Sequence, residues 1–352
     1  MSDVSMSDAE AEIQRLRAVV DQFRLKAREQ PDSLFPAHAD ALLRLGSLLA
    51  ETGEVDAALA AADEAVQIYR LLAEVDPDSF RMGLASALNN WSSRLSEGGK
   101  PAEADAAVAE AVAEARMAMA ARPDHARFIL VSCLINLAGS ALRVGDAERC
   151  LNHLSEATEV FKSAGEAGVT FLGPMIEALH RAALAFGEIG LWGEAVDTRR
   201  LMLALFPGGP PPSMVHLLAL TLQQASLAMA GAERLEVAQQ CADEAVELAH
   251  LLFDKDPVEY RLILAQALGN QGGRRFQRGE TQSALDVVLE SVNLFHQVVN
   301  TDPGGAVPSL ILTLGTLSAI LHGLGLADQA AIVDEQKAQL QQTLERMLAQ
   351  KG

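Results

Sequence analysis

Glycines recur at a nearly fixed interval along this 352-residue chain. They separate pairs of segments in which apolar residues return every three or four positions, as in Leu84, Leu88 and Trp91, a spacing typical of helices. The recurring glycines are Gly53, Gly99, Gly145, Gly190, Gly279 and Gly325, with separations of 46, 46, 45, 89 and 46 residues. The separation of 89 covers two units, with a variant turn near 231–233. Each glycine predicts a left-handed cap on the first helix of a pair, so the chain is restricted to a stack of helix pairs.

Small residues and prolines keep the same interval. Five residues after each turn stands a small residue, such as Ala58 or Ala104, which lets two antiparallel helices approach closely. A proline precedes five of the turn glycines by 22 residues, at 31, 77, 123, 257 and 303, where it ends one helix and begins the next. Residues 62–104 also align without gaps to 242–284, at an offset of 180, so the units between them have nearly integral length.

This unit resembles the tetratricopeptide repeat (TPR). The resemblance rests on the turn glycine, the alanines of the second helix and a small first-helix residue such as Gly46, Ser92 or Gly272. It covers about residues 34–340 and implies an all-α fold, a right-handed α-solenoid of about seven helix-turn-helix pairs. The unit is about 46 residues long instead of the usual 34 or so, and is similar to long-unit arrays in bacterial multidomain signalling proteins.

The ends and two irregular stretches complete the predicted organisation. Residues 1–7 are expected to be a disordered lead, and 8–30 a helix that completes a partial repeat. Glycines and prolines predict irregular connections near 163–175 and 207–213. Residues 327–349 are mostly polar and are expected to form a capping helix.

Composition narrows the class of protein. The net charge of −19 argues against nucleic-acid binding, which needs a basic surface. The start of the chain lacks the pattern of a secretory signal, and three cysteines without a CxxC pair favour reduced thiols in the cytoplasm.

The uncharged stretch 309–327 approaches the length of a membrane span, but its glycines and repeat register favour a buried helix, so no membrane is expected. No catalytic or metal-binding motif occurs, which predicts a protein that is not an enzyme and needs no cofactor.

A row of polar residues lies within the otherwise apolar first helices. By the resemblance, first helices line a concave groove, and an amide there can pair with the backbone of a bound peptide because it carries both donor and acceptor. Alternatively these residues bond neighbouring helices and set the repeat geometry. The predicted groove residues are Asn89, Asn90, Asn136, Arg181, Gln224 and Asn270.

Two further arginines, Arg275 and Arg278, cluster at a helix end in this acidic chain. Such a cluster suits a carboxylate or an acidic peptide, and both residues are therefore assigned to the same groove. The structural alternative is compensation of the helix dipole together with ion pairs to neighbouring acids.

The stretch 201–232 contains no charged residue, and its helix is apolar on nearly every side. Either it is packed tightly between repeats, or a ligand, a partner chain or a second copy covers it. The predicted apolar interface comprises Met214, Leu217, Leu218 and Leu222.

These patterns support two functional hypotheses. The first is a non-catalytic scaffold that binds a protein or peptide in the concave groove. The alternative is a regulatory or sensor subunit that controls a partner enzyme, such as a protease, an ATPase or a toxin, through the region 201–232. A homo-oligomer is compatible with either.

Overall fold

The computed structural model describes residues 2–26, 31–164 and 172–349. Within those ranges every regular element is an α-helix. The helices are α1 (Ser2–Lys26), α2 (Pro31–Glu51), α3 (Val55–Val75), α4 (Pro77–Glu97), α5 (Pro101–Ala121), α6 (Pro123–Arg143), α7 (Ala147–Lys162), α8 (Leu172–Glu188), α9 (Trp192–Ala204), α10 (Pro212–Gly231), α11 (Leu235–Lys255), α12 (Arg261–Gln277), α13 (Thr281–Val298), α14 (Pro303–Gly323) and α15 (Ala327–Ala349).

The chain divides into two compact units, Met1–Ala182 and Ala183–Gly352. In the first unit each helix from α1 to α7 packs on the next, and the first helices α2, α4 and α6 also contact one another in turn. In the second unit α9 to α15 pack in the same manner, with α10, α12 and α14 in mutual succession. The predicted all-α fold of stacked helix-turn-helix repeats is therefore confirmed.

The turn glycines adopt the predicted left-handed conformation. Their φ angles are 82° at Gly53, 75° at Gly99 and 80° at Gly190, with similar positive values at 145, 279 and 325. At the variant turn the same conformation falls on Glu233, with φ of 60°. Because a side chain in this region costs about 1–2 kcal/mol, the variant turn keeps the repeat geometry at the expense of local strain.

Asp-Pro pairs at 76–77 and 302–303 lie at helix junctions, whereas α12 begins at Arg261, four residues after Pro257. Asp76 follows the last residue of α3, and its side chain accepts a hydrogen bond from the backbone N–H of Ser79 at 3.2 Å in the first turn of α4. Asp302 caps α14 in the same way, accepting from Gly305 N–H at 3.0 Å. Pro77 and Pro303 occupy the first helical position, where the missing N–H has no helical partner to lose.

Helix limits differ from expectation in a few places. The lead assigned to disorder is helical from Ser2, because residues 2–7 contain no glycine or proline to end a helix that begins further along. The predicted extension of this helix to residue 30 and the centre of the irregular stretch 163–175 lie outside the described residues. Between α9 and α10, residues 205–211 are non-helical. The fourth pair has the short second helix, since α9 has 13 residues whereas α3 has 21.

Three helices among the described residues, α6, α10 and α14, are long and apolar enough to cross a membrane by length and composition alone. Each belongs to a helix pair in this fold. Half of the apolar window is buried in α6 and α14, and 33% in α10. Of the three helices, α10 therefore has the largest share of its apolar window outside the buried core.

Candidate functional site

We call the predicted row of polar groove residues on the first helices the amide row. Two of its asparagines join first helices of neighbouring repeats. In the first unit, Asn136 Nδ2 on α6 donates to Asn89 Oδ1 at 2.9 Å and to Ser93 Oγ at 3.3 Å on α4. In the second unit, Asn270 Nδ2 on α12 donates to the backbone oxygen of Gln223 on α10 at 3.2 Å. Asn90 is half-buried on α4. The two donating amides therefore hold first helices together, which is the structural alternative offered by the sequence.

Arg181 lies on the surface of α8 and pairs with Glu177 of the same helix, with an N–O distance of 3.5 Å. It also borders a groove of about 230 Å³ between α6, α7 and α8, together with Arg143. The structure thus brings these two arginines to one groove.

Gln224 and Leu217 line a second groove, of about 380 Å³, between α8, α9 and α10. We call it the leucine groove. It is lined by Ala183, Leu184, Gly187, Glu188, Trp192, Arg199, Leu217, Leu220, Thr221 and Gln224, all within the second unit. One residue from the predicted peptide groove and one from the predicted apolar interface therefore share a single site.

The helical period places the four residues of the predicted apolar interface on different sides of α10. Leu218 and Leu222 are 3% and 0% exposed and form a core cluster with Val196, Ala225 and Ala245 of the adjoining helices. Their assignment to an interface is corrected, because this side of α10 packs against α9 and α11. Leu217 and Met214 are half-buried. Of the four, only Leu217 lines the leucine groove.

Sequence reasoning missed the two most exposed apolar residues of this groove. Leu184 is 50% exposed and Leu220 is 37% exposed. The signal was present, since Leu184 stands three residues after Arg181, and Leu220 stands three after Leu217 and four before Gln224. These spacings place each leucine on the same helix face as a predicted site residue.

Arg275 and Arg278 lie elsewhere. They border a polar pocket of about 400 Å³ between α11, α12 and α13, whereas Asn270 of the same helix bonds to α10. Arg275 Nη1 donates to Ser283 Oγ at 2.8 Å, and Arg278 pairs with Glu280 at 3.1 Å. Their assignment to the groove of the amide row is corrected, because they reach toward second helices.

The cysteines are not placed for chemistry. Burial raises the pKa of the Cys133 thiol to about 12 and that of Cys150 to about 11, so both stay protonated and unreactive near neutral pH. Burial also raises the pKa of Cys241. Over the part of the chain that the structure describes, no group of three or more His, Cys, Asp or Glu side chains is placed to hold a metal ion.

No protein-family model and no curated protein sequence matches this chain. Among solved structures it is similar to BtubC (BKLC) from P. vanneervenii, with 14% identity over 83% of this chain and 92% of that chain and a TM-score of 0.34. It is similar to a signal transduction ATPase with a tetratricopeptide repeat sensor from Pyrococcus horikoshii, with 10% identity, 97% and 49% coverage and a TM-score of 0.39. It is also similar to the apo form of RapI, with 15% identity, 85% and 99% coverage and a TM-score of 0.38. The helix pairs of the chain itself, with their left-handed turn glycines, define the fold.

Proposed function

We propose that this chain is a non-catalytic scaffold that binds a peptide segment of a partner protein in the leucine groove. The observation that carries the proposal is the pair Leu184 and Leu220, exposed on first helices on either side of a groove instead of packed into the adjacent core. Exposed apolar residues that border a concavity mark binding sites more reliably than isolated ones.

The groove suits a segment with apolar side chains. Leu217, Leu220 and Leu184 offer apolar contact, and burying one leucine side chain contributes about 1.5–3 kcal/mol. Gln224 is exposed at the same groove, and its amide supplies one acceptor and two donors for a peptide backbone. Helices fix these groups before binding, which reduces the ordering cost of association.

The test is selection of peptides on the purified full-length chain, followed by fluorescence anisotropy of the enriched peptides. Leu184→Gln with Leu220→Gln removes the apolar contact while keeping good helix formers. We expect binding to weaken by at least about tenfold, the equivalent of about 1.4 kcal/mol. Leu251→Gln is the matched control, because Leu251 is 59% exposed on α11 and does not line the groove.

Two results would overturn the proposal. Selection could enrich no peptide at all, or the enriched peptides could bind the parent chain, the double variant and the control variant with equal affinity. Either result would leave the two leucines as ordinary exposed apolar residues.

A further inference from the structure

The polar pocket between α11, α12 and α13 is built from charged and amide side chains. Its lining residues are Glu236, Gln239, Gln240, Asp243, Arg275, Arg278, Glu280 and Ser283, all in the second unit. The pocket shares no residue with the leucine groove. Ligand binding in the polar pocket is therefore independent of peptide binding in the leucine groove.

Asp243 orients two buried amides. One carboxylate oxygen, Oδ1, accepts from Gln239 Nε2 at 2.7 Å and from Gln271 Nε2 at 2.6 Å. Because an ionised carboxylate only accepts, both amide nitrogens must face it, and the orientation of each amide is fixed. Gln239 Oε1 then faces away from Asp243.

Gln239 Oε1 is buried and has no hydrogen-bond donor among the described residues. Gln239 is 8% exposed and lines the polar pocket, so a donor for this oxygen has to come from a molecule in that pocket. Leaving a buried acceptor unpaired is destabilising, so this oxygen favours a bound donor.

Arg275 on α12 is positively charged and donates hydrogen bonds, whereas the α11 residues Glu236 and Asp243 are negatively charged and accept them. It is half-buried, and its Nη1 donates to Ser283 Oγ. No carboxylate of the described residues lies within ion-pair distance of its guanidinium. The Arg275 guanidinium therefore offers free donors to an anion in the pocket, which Arg278 also lines.

The repeat supplies an internal comparison for this pocket. Positions 239, 271 and 275 correspond, at the offset of 180, to Leu59, Trp91 and Leu95. There the three side chains form an apolar cluster with Ala104 and Ala107.

One repeat further along, at an offset of 46, the same positions hold Leu285, Leu317 and Leu321. These three also belong to a core cluster. The fold therefore fills these positions with apolar side chains in two other repeats, and the substitution of all three by Gln, Gln and Arg is particular to this pocket.

From this replacement of an apolar cluster by oriented polar groups, we propose that the polar pocket binds a small zwitterion of the α-amino-acid class. Its carboxylate pairs with Arg275 and Arg278 at the end of α12. Its ammonium group faces the wall formed by α11, where Glu236, Gln239 and Asp243 supply acceptors. The two charges of such a ligand match the two walls, and a volume of about 400 Å³ is within the range of small-molecule sites.

The test is a thermal-shift screen of the proteinogenic L-amino acids on the full-length chain, with calorimetric titration of each one that raises the melting temperature. For an amino acid that binds, the amide derivative lacks the carboxylate and the N-acetyl derivative lacks the ammonium group. We expect both derivatives to bind at least about tenfold more weakly, because each loses a charge-assisted interaction.

Two variants check the location. Gln239→Leu with Gln271→Trp and Arg275→Leu transplants the apolar set of residues 59, 91 and 95, and we expect it to abolish binding without lowering the melting temperature. Arg275→Gln alone keeps the pocket polar and is expected to weaken binding by at least about tenfold. The proposal is overturned if no amino acid binds the parent chain, or if binding persists unchanged in Arg275→Gln.

Discussion

Two adjacent glycines in α12 differ in the space around them. A Cβ atom at Gly272 would lie 2.3 Å from Val288 Cγ2 and 3.3 Å from the backbone oxygen of Ala284, whereas one at Gly273 would meet nothing closer than Thr316 at 3.9 Å. Replacing a helical glycine by alanine contributes about 1 kcal/mol, but overpacking costs about 1–3 kcal/mol. We expect Gly273→Ala to raise the free energy of unfolding and Gly272→Ala to lower it.

Urea denaturation followed by circular dichroism measures both free energies, and each variant is the control for the other because the helix and its solvent are the same. Equal effects of the two substitutions would show that α12 and α13 are not in close contact at Gly272. The comparison also tests the sequence interpretation that Gly272 is the small residue of its repeat, a position that Ser92 occupies four repeats earlier.

At the scale of the element, ion pairs connect successive second helices in the first unit. Arg24 on α1 pairs with Glu64 on α3, Arg70 on α3 with Glu110 on α5, and Arg116 on α5 with Glu156 on α7. The partners are 40 residues apart in every case, and successive arginines are 46 apart. The repeat thus places the same pair at each junction between second helices.

The Arg70–Glu110 pair provides the test of this row. Its closest N–O distance is 2.7 Å, and Arg70 donates from both Nε and Nη2. A double-mutant cycle with Arg70→Gln and Glu110→Gln is expected to give a coupling of about 0.2–1 kcal/mol, smaller in high salt because exposed charges are screened. Arg15→Gln is the control, since the Arg15 side chain is 79% exposed and, among the described residues, pairs only with Glu12 of its own helix. A coupling that is zero in low salt, or unchanged by salt, would contradict the prediction.

Local patterns were sufficient to predict the helix pairs but not the environment of each side chain. The conformation of Gly53 and the helix boundary at Pro77 depend on a few neighbouring residues, so the sequence predicts them correctly. The burial of Leu218 depends on which neighbouring helix α10 faces, and the position of Arg275 depends on its reach toward α13. These are properties of packing between elements, which periodicity in one helix does not define.

At the scale of the whole molecule, each of the two compact units contains a cysteine whose labelling can report its unfolding. Cys133 and Cys150 lie in the first unit and Cys241 in the second. Cys133 and Cys150 are buried and Cys241 is half-buried, so each thiol becomes more reactive when its surroundings unfold. In stacked repeats, stability is approximately a sum of repeat and nearest-neighbour terms, and distant repeats need not unfold together.

We therefore expect a core substitution to act mainly on the cysteines of its own unit. Leu88 on α4 is 0% exposed and Leu268 on α12 is 3% exposed, and the two are equivalent at the offset of 180. Truncating either to alanine costs about 2–5 kcal/mol. In pulsed thiol labelling across a urea series, read by mass spectrometry, Leu88→Ala should lower the labelling midpoints of Cys133 and Cys150 together and by more than that of Cys241. Leu268→Ala should do the reverse. Equal shifts of all three midpoints in both variants would mean that the chain unfolds as one cooperative body, since only then does a cavity in either unit destabilise every repeat alike.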